Sequence, residues 1–356
     1  MIEKLIRTLL IGCFLVFLQP SVIWAQDVNF NQIFTIPQLL NPALTGDIDG
    51  TFRVYSLNRD QWRPALGRSL RSFVFGGDAK FYVNQNSGGK DLFAGGITFY
   101  SDRTSLFDFY TNHISLSGAF HKSLNPNKNE YISVGLNFGV SQMGVNYENI
   151  YFEDQFNQID KYDLPTNEYL PPNSLAYPSL AIGFHYKKSI TKDRHVFMGI
   201  AGYNLLKDEV SFYAAVNDLN APFKKSNILL RKVNSYIGLK LRANESLTWS
   251  PRIRYSMQLP YQEISLSATA RQQFYTTKGM ALHFGGGLQL GNINDQLGLK
   301  RVALQAGYEI NGLILGVSYD HNFNDFIRKY GGMGSVELSI TYIGEHENDF
   351  EFCPTF

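Results

Sequence analysis

Residues 130–141, EYISVGLNFGVS, decide the fold. Ile132, Val134, Leu136, Phe138 and Val140 alternate with Ser133, Gly135, Asn137, Gly139 and Ser141. A period of two gives a strand one apolar face and one small, polar face. In a soluble sandwich the polar face usually carries long charged side chains toward water, whereas here it carries Gly, Ser and Asn. That composition suits the inner wall of a closed barrel whose outer wall meets lipid. The pattern recurs to the end of the chain. In 335–342, SVELSITY, Val336, Leu338, Ile340 and Tyr342 share one face and Glu337, Ser339 and Thr341 the other. On this register Arg at Val134 or Leu338 meets lipid, and Ser in place of Gly135 is expected to be mild.

Working outward, strands are expected to start near Thr51, Arg68, Leu92, Phe109, Glu130, Tyr177, His195, Val233, Leu247, Glu263, Met280, Val302, Gly312 and Gly334. That makes about fourteen, an even number, as single-chain bacterial barrels have. With the N-terminus periplasmic, the outer connections include 144–176, 205–232, 291–301 and 321–333. The inner ones include 243–246, 276–279 and the tight Asn311-Gly312 turn. Long connections on one side and short ones on the other are a property of outer-membrane barrels.

Composition agrees with one large all-β unit without a linker. Aromatic residues make up 14% of the 356 residues, and there are 31 Gly, suiting aromatic girdles and a Gly-rich lumen. Mean hydropathy is slightly negative, as expected when half of each spanning strand is polar. A net charge of +1 and the lack of a basic stripe interleaved with aromatics give no reason to expect nucleic acid.

Residues 1–25 read as a signal peptide: Lys4 and Arg7 are the positive end, 9–18 the apolar run, and Ile23-Trp24-Ala25 the cleavage site. Leu10-Ile11-Gly12-Cys13 matches a lipoprotein box, but cutting there would leave the apolar 14–18 on the mature end. Cleavage after Ala25 leaves Cys353 as the sole cysteine, so an internal disulfide and a thiolate zinc site are out. Cys353 is then an inert tail thiol or a contact for a partner.

Residues 26–50, QDVNFNQIFTIPQLLNPALTGDIDG, precede the first strand and read as a structured loop. Pro37 and Pro42 rule out a regular strand, and Phe30, Phe34, Leu39, Leu40 and Leu44 are too apolar for a free tail. Pro42 biases Asn41 toward an extended conformation, and Gly46 can take a positive φ without steric cost. The segment is expected in or under the lumen as a plug, with Phe30, Phe34 and Leu40 against wall positions. The barrel is expected over 51–343 and a periplasmic tail over 344–356.

FNQIFTIPQLLNPALTG, followed by NRDQW, a last strand GSVELSITY and a terminal CPTF, resembles the PorP/SprF family of Bacteroidota outer-membrane proteins. The resemblance runs over nearly the whole mature chain and rests most on Phe30, Gln32, Asn41, Pro42, Ala43 and Gly46. Arg59, Gln61 and Trp62, then Cys353, Pro354 and Phe356, complete it. Thr45 stands where Ala is expected and Leu44 where an aromatic is common, departures that bear on which partner is bound. The resemblance implies a non-enzymatic barrel of the type IX secretion and gliding machinery that assists secretion or surface attachment of a partner. The implied partners are outer-membrane lipid, a secreted type IX cargo or adhesin, and periplasmic components of the machinery.

The connection 144–176 carries Tyr147, Tyr151, Phe152, Phe156 and Tyr162 among acids. Aromatic anchors with charges at the rim suit a protein-binding surface, and a lid over the barrel mouth is the alternative.

Chemistry is sparser. Gly285-Gly286-Gly287 lies inside an alternating strand and not before a helix, so no phosphate loop is expected. Asp47-Ile48-Asp49-Gly50 lacks the remaining ligands of a calcium loop. His113, His121, His185 and His283 point inward, with Arg252, Arg254, Arg271, Asp78, Lys80, Glu309 and Glu337. This reads as a polar, partly ion-paired lumen without a catalytic set, metal or cofactor. Two other classes stay open. One is a transport barrel for hydrophobic small molecules, since Asn41-Pro42-Ala43 before a first strand is similar to the hatch of long-chain fatty-acid channels. The other is an outer-membrane enzyme, which needs a catalytic set that these residues do not assemble.

Overall fold

A computed structural model describes residues 29–62, 69–82, 91–104, 108–125, 129–168, 170–206, 210–212, 228–274, 279–293, 296–323 and 333–345. The expected signal peptide and Cys353, Pro354 and Phe356 lie outside the described residues. Alternation in the sequence becomes fourteen strands. They are β1 (Phe52–Gln61), β2 (Leu70–Tyr82), β3 (Leu92–Thr104), β4 (Phe109–Ser123), β5 (Glu130–Val145), β6 (Ser174–Thr191) and β7 (Arg194–Tyr203). The second half is β8 (Lys232–Arg242), β9 (Leu247–Gln258), β10 (Tyr261–Gln273), β11 (Met280–Ile293), β12 (Gln296–Ile310), β13 (Leu313–Asn322) and β14 (Met333–Gly344).

Each strand pairs antiparallel with its sequence neighbour, and β1 closes on β14 from Phe52↔Gly344 to Gln61↔Ser335. Closure satisfies every ladder edge, which is what a sheet needs in lipid. The burial pattern is inverted relative to a soluble protein. In β5, Leu136 and Phe138 are 55% and 57% exposed while Ser133 and Asn137 are buried. Hydrocarbon can cover this outer apolar face, so the molecule is a transmembrane antiparallel β-barrel, the architecture the alternation predicts. Among the described residues no helix is long and apolar enough to cross a membrane.

One expected connection is corrected. Residues 291–301 are not a long outer loop, because β11 and β12 stay paired up to Ile293↔Gln296, with a register shift at Gln289/Leu290. Asn292 and Gln296 read as loop only because the strands run on past the apolar stretch. The two longest connections, from β5 to β6 and from β7 to β8, leave the barrel at one mouth, the same one that β9 and β10 close by a short turn.

The expected structured loop before β1 is a chain of short helical turns. A 3-10 turn (Ile33–Thr35), a one-turn helix α1 (Pro37–Leu40) and a second 3-10 turn (Pro42–Leu44) follow one another. Pro37 and Pro42 each occupy a first helical position, where a missing N–H costs nothing. Local bonds such as Asn41 N–H to Pro37 O (2.9 Å) then satisfy backbone groups that no strand ladder could. This segment packs inside the lumen, and its Ile36, Leu40 and Ala43 are fully buried.

The lumen and its N-terminal plug

The wall meets the segment in two ways, by missing side chains and by placed polar groups. A Cβ on Gly135 would collide with the Pro42 and Ala43 backbone, on Gly183 with the Asn41 side chain, and on Gly96 with Gln38. The Gly-rich inner face is thus a docking surface, not an open water-filled wall. The expectation that Ser is mild at Gly135 is corrected for this reason.

Asn41 is the central stitch. Its backbone is extended (φ −162°, ψ 122°), as Pro42 dictates, and its Oδ1 caps the next turn by accepting from Ala43 N (2.9 Å). Its Nδ2 donates to the carbonyls of Phe184 in β6 (2.9 Å) and Ile200 in β7 (3.3 Å), and lies 3.3 Å from the Tyr236 hydroxyl of β8. Pro42 and Ala43 sit over Gly135 of β5. One Asn-Pro-Ala triplet therefore ties four strands to the plug.

Gly46 takes φ +76°, a left-handed conformation that suits glycine, and its N–H donates to Asp78 (2.6 Å). Arg53 grips the same carboxylate through Nε (2.9 Å) and Nη2 (2.6 Å). A Cβ at Gly46 would also strike Ala94. Thr45 is fully buried with its carbonyl 2.7 Å from His121 Nε2, and Leu44 is buried too. The two departures from the family pattern therefore pack inside the barrel and do not line a partner surface.

At the other end of the segment, Glu337 accepts the N–H groups of Asn31 (2.8 Å) and Gln32 (2.9 Å). Gln32 Oε1 accepts from Ser339 (2.7 Å), and Asn31 Nδ2 donates to Asp320 (2.7 Å). Arg59, 2% exposed, lies between those carboxylates, 3.5 Å from Glu337 and 3.7 Å from Asp320, and Arg301 is 3.7 Å from Asp320. Two guanidinium groups and two carboxylates balance, which is what permits charges to be buried here. Phe30 turns its ring edge-on to Tyr100 (6.4 Å) and Phe34 to Tyr236 (6.0 Å).

The structure thus brings Phe30, Gln32, Asn41, Pro42, Ala43, Gly46 and Arg59 into one plug-and-wall assembly. Gln61 ends β1 beside Ser335, and Trp62 follows it with φ +57°, its N–H on Gly334 O (3.1 Å). The four histidines do not meet. His113 pairs with Ser141, His121 with Ser133 and Thr45, His185 with Tyr236, and His283 with Glu309. Asp47 and Asp49 bind Lys187 (2.8 Å) and Lys240 (3.1 Å), and so serve as plug anchors. Burial pushes the Asp47 carboxyl up, but Lys187 and His185 outweigh it and hold it well below the usual carboxylate range. Sequence reasoning missed Gln38, Tyr55, Tyr236 and Asp320. A large inward-facing Tyr on an otherwise small wall was the available signal for the two tyrosines.

The loop 146–173 stands at the far mouth with a fold of its own. Asn157 Oδ1 accepts from the N–H groups of Ile159 (2.9 Å), Asp160 (2.9 Å) and Lys161 (3.1 Å), and Asp154 accepts from Asn167 N (2.6 Å). Tyr162 packs on Phe156 (5.0 Å) and Tyr151 (5.8 Å), yet Tyr151 remains 64% exposed. Phe152 N–H donates to Gln155 Oε1 (2.9 Å), and Tyr147 opens a 3-10 turn capped by Asn146.

Solved structures resemble the chain in fold alone. The CymD monoaromatic hydrocarbon channel matches at 7% identity and TM-score 0.51, covering 88% of this chain and 93% of its own. The TodX monoaromatic hydrocarbon channel deltaS2 mutant gives 7%, 0.50, 88% and 94%. A Pseudomonas aeruginosa FadL homologue gives 12%, 0.47, 85% and 92%. No curated relative matches. Residues 23–342 match the family described as type IX secretion system membrane protein PorP/SprF, which spans both the plug and the barrel, and the chain belongs to that family.

Proposed function

We propose that this protein is a non-enzymatic outer-membrane barrel that assists secretion or surface attachment of a type IX cargo protein or adhesin, working through its outer loops while the plug closes the lumen. The observation that carries this reading is the plug itself. Its polar contacts reach β1, β2, β3, β4, β6, β7, β8, β9, β10, β12, β13 and β14, and a segment held by so much of the wall supports a closed lumen. Most of the lumen's charged groups are spent holding the plug or one another, which supports a role without catalysis. The exposed Tyr151 and Tyr162, on a loop braced by its own hydrogen bonds, suit a protein partner. In this reading the short-turn mouth faces the periplasm and the secretion machinery.

Transport of hydrophobic small molecules is the second reading. It draws on the hydrocarbon channels among the structural neighbours, and at 7% identity those carry the fold only. Affinity capture of the tagged protein from its native envelope tests the proposal. One stoichiometric secreted partner, lost when Tyr151 and Tyr162 become Ala, supports it, and capture without any such partner refutes it.

A further inference from the structure

Below the first helical turn of the plug, a cavity of about 270 Å³ lies between Ile33, Phe34 and Thr35 and the inner wall of β9 to β14. It extends toward the mouth where β1 begins and β14 ends, since Arg53, Thr341 and Ile343 line it. Three arginines border it, and two are engaged. Arg53 is bidentate on Asp78, and Arg254 binds Glu263 (2.8 Å) and Asn29 (2.7 Å).

Arg252 is different. Its cross-strand neighbours are Ser267 in β10 and Gly238 in β8, neither of which can supply a carboxylate. Its Nε is shut off from solvent without a hydrogen-bond partner, and among the described residues its guanidinium has no ion pair. The contact it does make is with the Phe34 ring, 4.5 Å from the centroid. A cation–π contact is worth far less than the hydration a guanidinium loses on entering a protein interior. The lumen carboxylates of β10 and β12 are already taken: Glu263 by Arg254, and Glu309 by Arg271 (2.8 Å) and His283 (2.7 Å).

We propose that this cavity binds an amphipathic monocarboxylate, with Arg252 taking the carboxylate and Ile33 and Phe34 the apolar part. One unpaired cation calls for one negative charge, which favours a monocarboxylate over a phosphate dianion. A planar guanidinium matches a carboxylate edge, and hydroxyls of Ser267 and Thr269 on the same lining can donate to the remaining lone pairs. The apolar plug residues beside it favour a body of hydrocarbon or aromatic character. The carboxylate could belong to a free acyl acid or to the end of a polypeptide.

Titration calorimetry on the full mature protein in lipid nanodiscs, corrected with empty discs, tests this. Hexanoate is compared with hexanamide as the acyl arm, and N-acetylphenylalanine with its amide as the polypeptide-end arm. At least one acid should bind about tenfold more tightly than its amide, and the winning arm names the source. Arg252→Gln should abolish the difference and Arg252→Lys should keep part of it, with the strand signal in circular dichroism unchanged. Equal binding of acid and amide, no binding of either acid, or an acid preference surviving in Arg252→Gln would overturn the proposal. The acid–amide comparison in the natural chain decides even if the variants fail to fold.

Discussion

Glu337 of β14 holds the plug by its backbone, accepting the N–H of Gln32 at 2.9 Å from a fully buried position. Glu337→Ala leaves that amide and the Asn31 amide without their acceptor, and the Arg59 guanidinium without one of its two carboxylate partners. Unfolding in denaturant should show a loss of about 3–5 kcal/mol, the usual result of orphaning a buried charge partner. Ser339→Ala removes one hydrogen bond to Gln32 and should cost about 1 kcal/mol. Adding Arg59→Ala to Glu337→Ala should cost much less than the two singles combined, because the residues act as one network.

Gly135→Ser should destabilise by about 1–3 kcal/mol, since the new side chain overlaps the Pro42–Ala43 backbone. Gly95→Ala should be neutral, because a Cβ there meets nothing within 4 Å. On the lipid face, Val134→Arg or Leu338→Arg should cost about 2–4 kcal/mol near mid-membrane. Equal tolerance at Gly135 and Gly95 would contradict the docking role of the wall glycines.

How much of this was legible varies with the kind of information. Most starts of strands were, because alternation such as Ile132/Ser133/Val134/Gly135 names both faces at once, but β12 begins at Gln296 and not near Val302. The end of β11 was not, since Asn292 lies past the apolar stretch, where hydropathy no longer distinguishes paired strand from loop. Glycine showed where side chains are missing but not what fills the space, so Gly135 was legible as an inner-face position but not as the seat of the Pro42–Ala43 backbone. That Phe30, Asn41 and Gly46 form a constrained segment followed from Pro37, Pro42 and the apolar content. Their wall partners did not, because Tyr100, Tyr236 and Asp78 lie on separate strands, and the Arg59, Asp320 and Glu337 cluster that holds Asn31 and Gln32 meets only when β1 closes on β14.

The Asp47 anchor has a signed pH dependence. Its folded carboxyl titrates well below the unfolded value, so its contribution is present above the unfolded pKa and is lost as pH falls through the folded one. Hydrogen exchange of the Thr45 to Ile48 amides should therefore stay protected through the ordinary carboxylate range and rise only in stronger acid. Asp47→Asn should remove that acid-dependent step while leaving Lys187 unpaired at every pH. Loss of protection already within the ordinary carboxylate range would show that Lys187 does not hold the carboxylate as described.

Orientation follows from which mouth carries the long loops. A Cys placed at Asn157, in the loop 146–173, should react with a membrane-impermeant maleimide on intact cells. One placed at Glu245, in the turn between β8 and β9, should react only after the envelope is opened. The reverse pattern would invert the topology and move the aromatic loop to the periplasm.

The central claim is that the plug keeps the lumen closed, so that the protein acts through a partner and not as a pore. Single-channel recording in planar bilayers, comparing the mature chain with one lacking residues 26–46, tests it most directly. The intact protein should show little or no steady conductance and the shortened one large openings, whereas large, stable conductance from the intact mature protein would contradict the account.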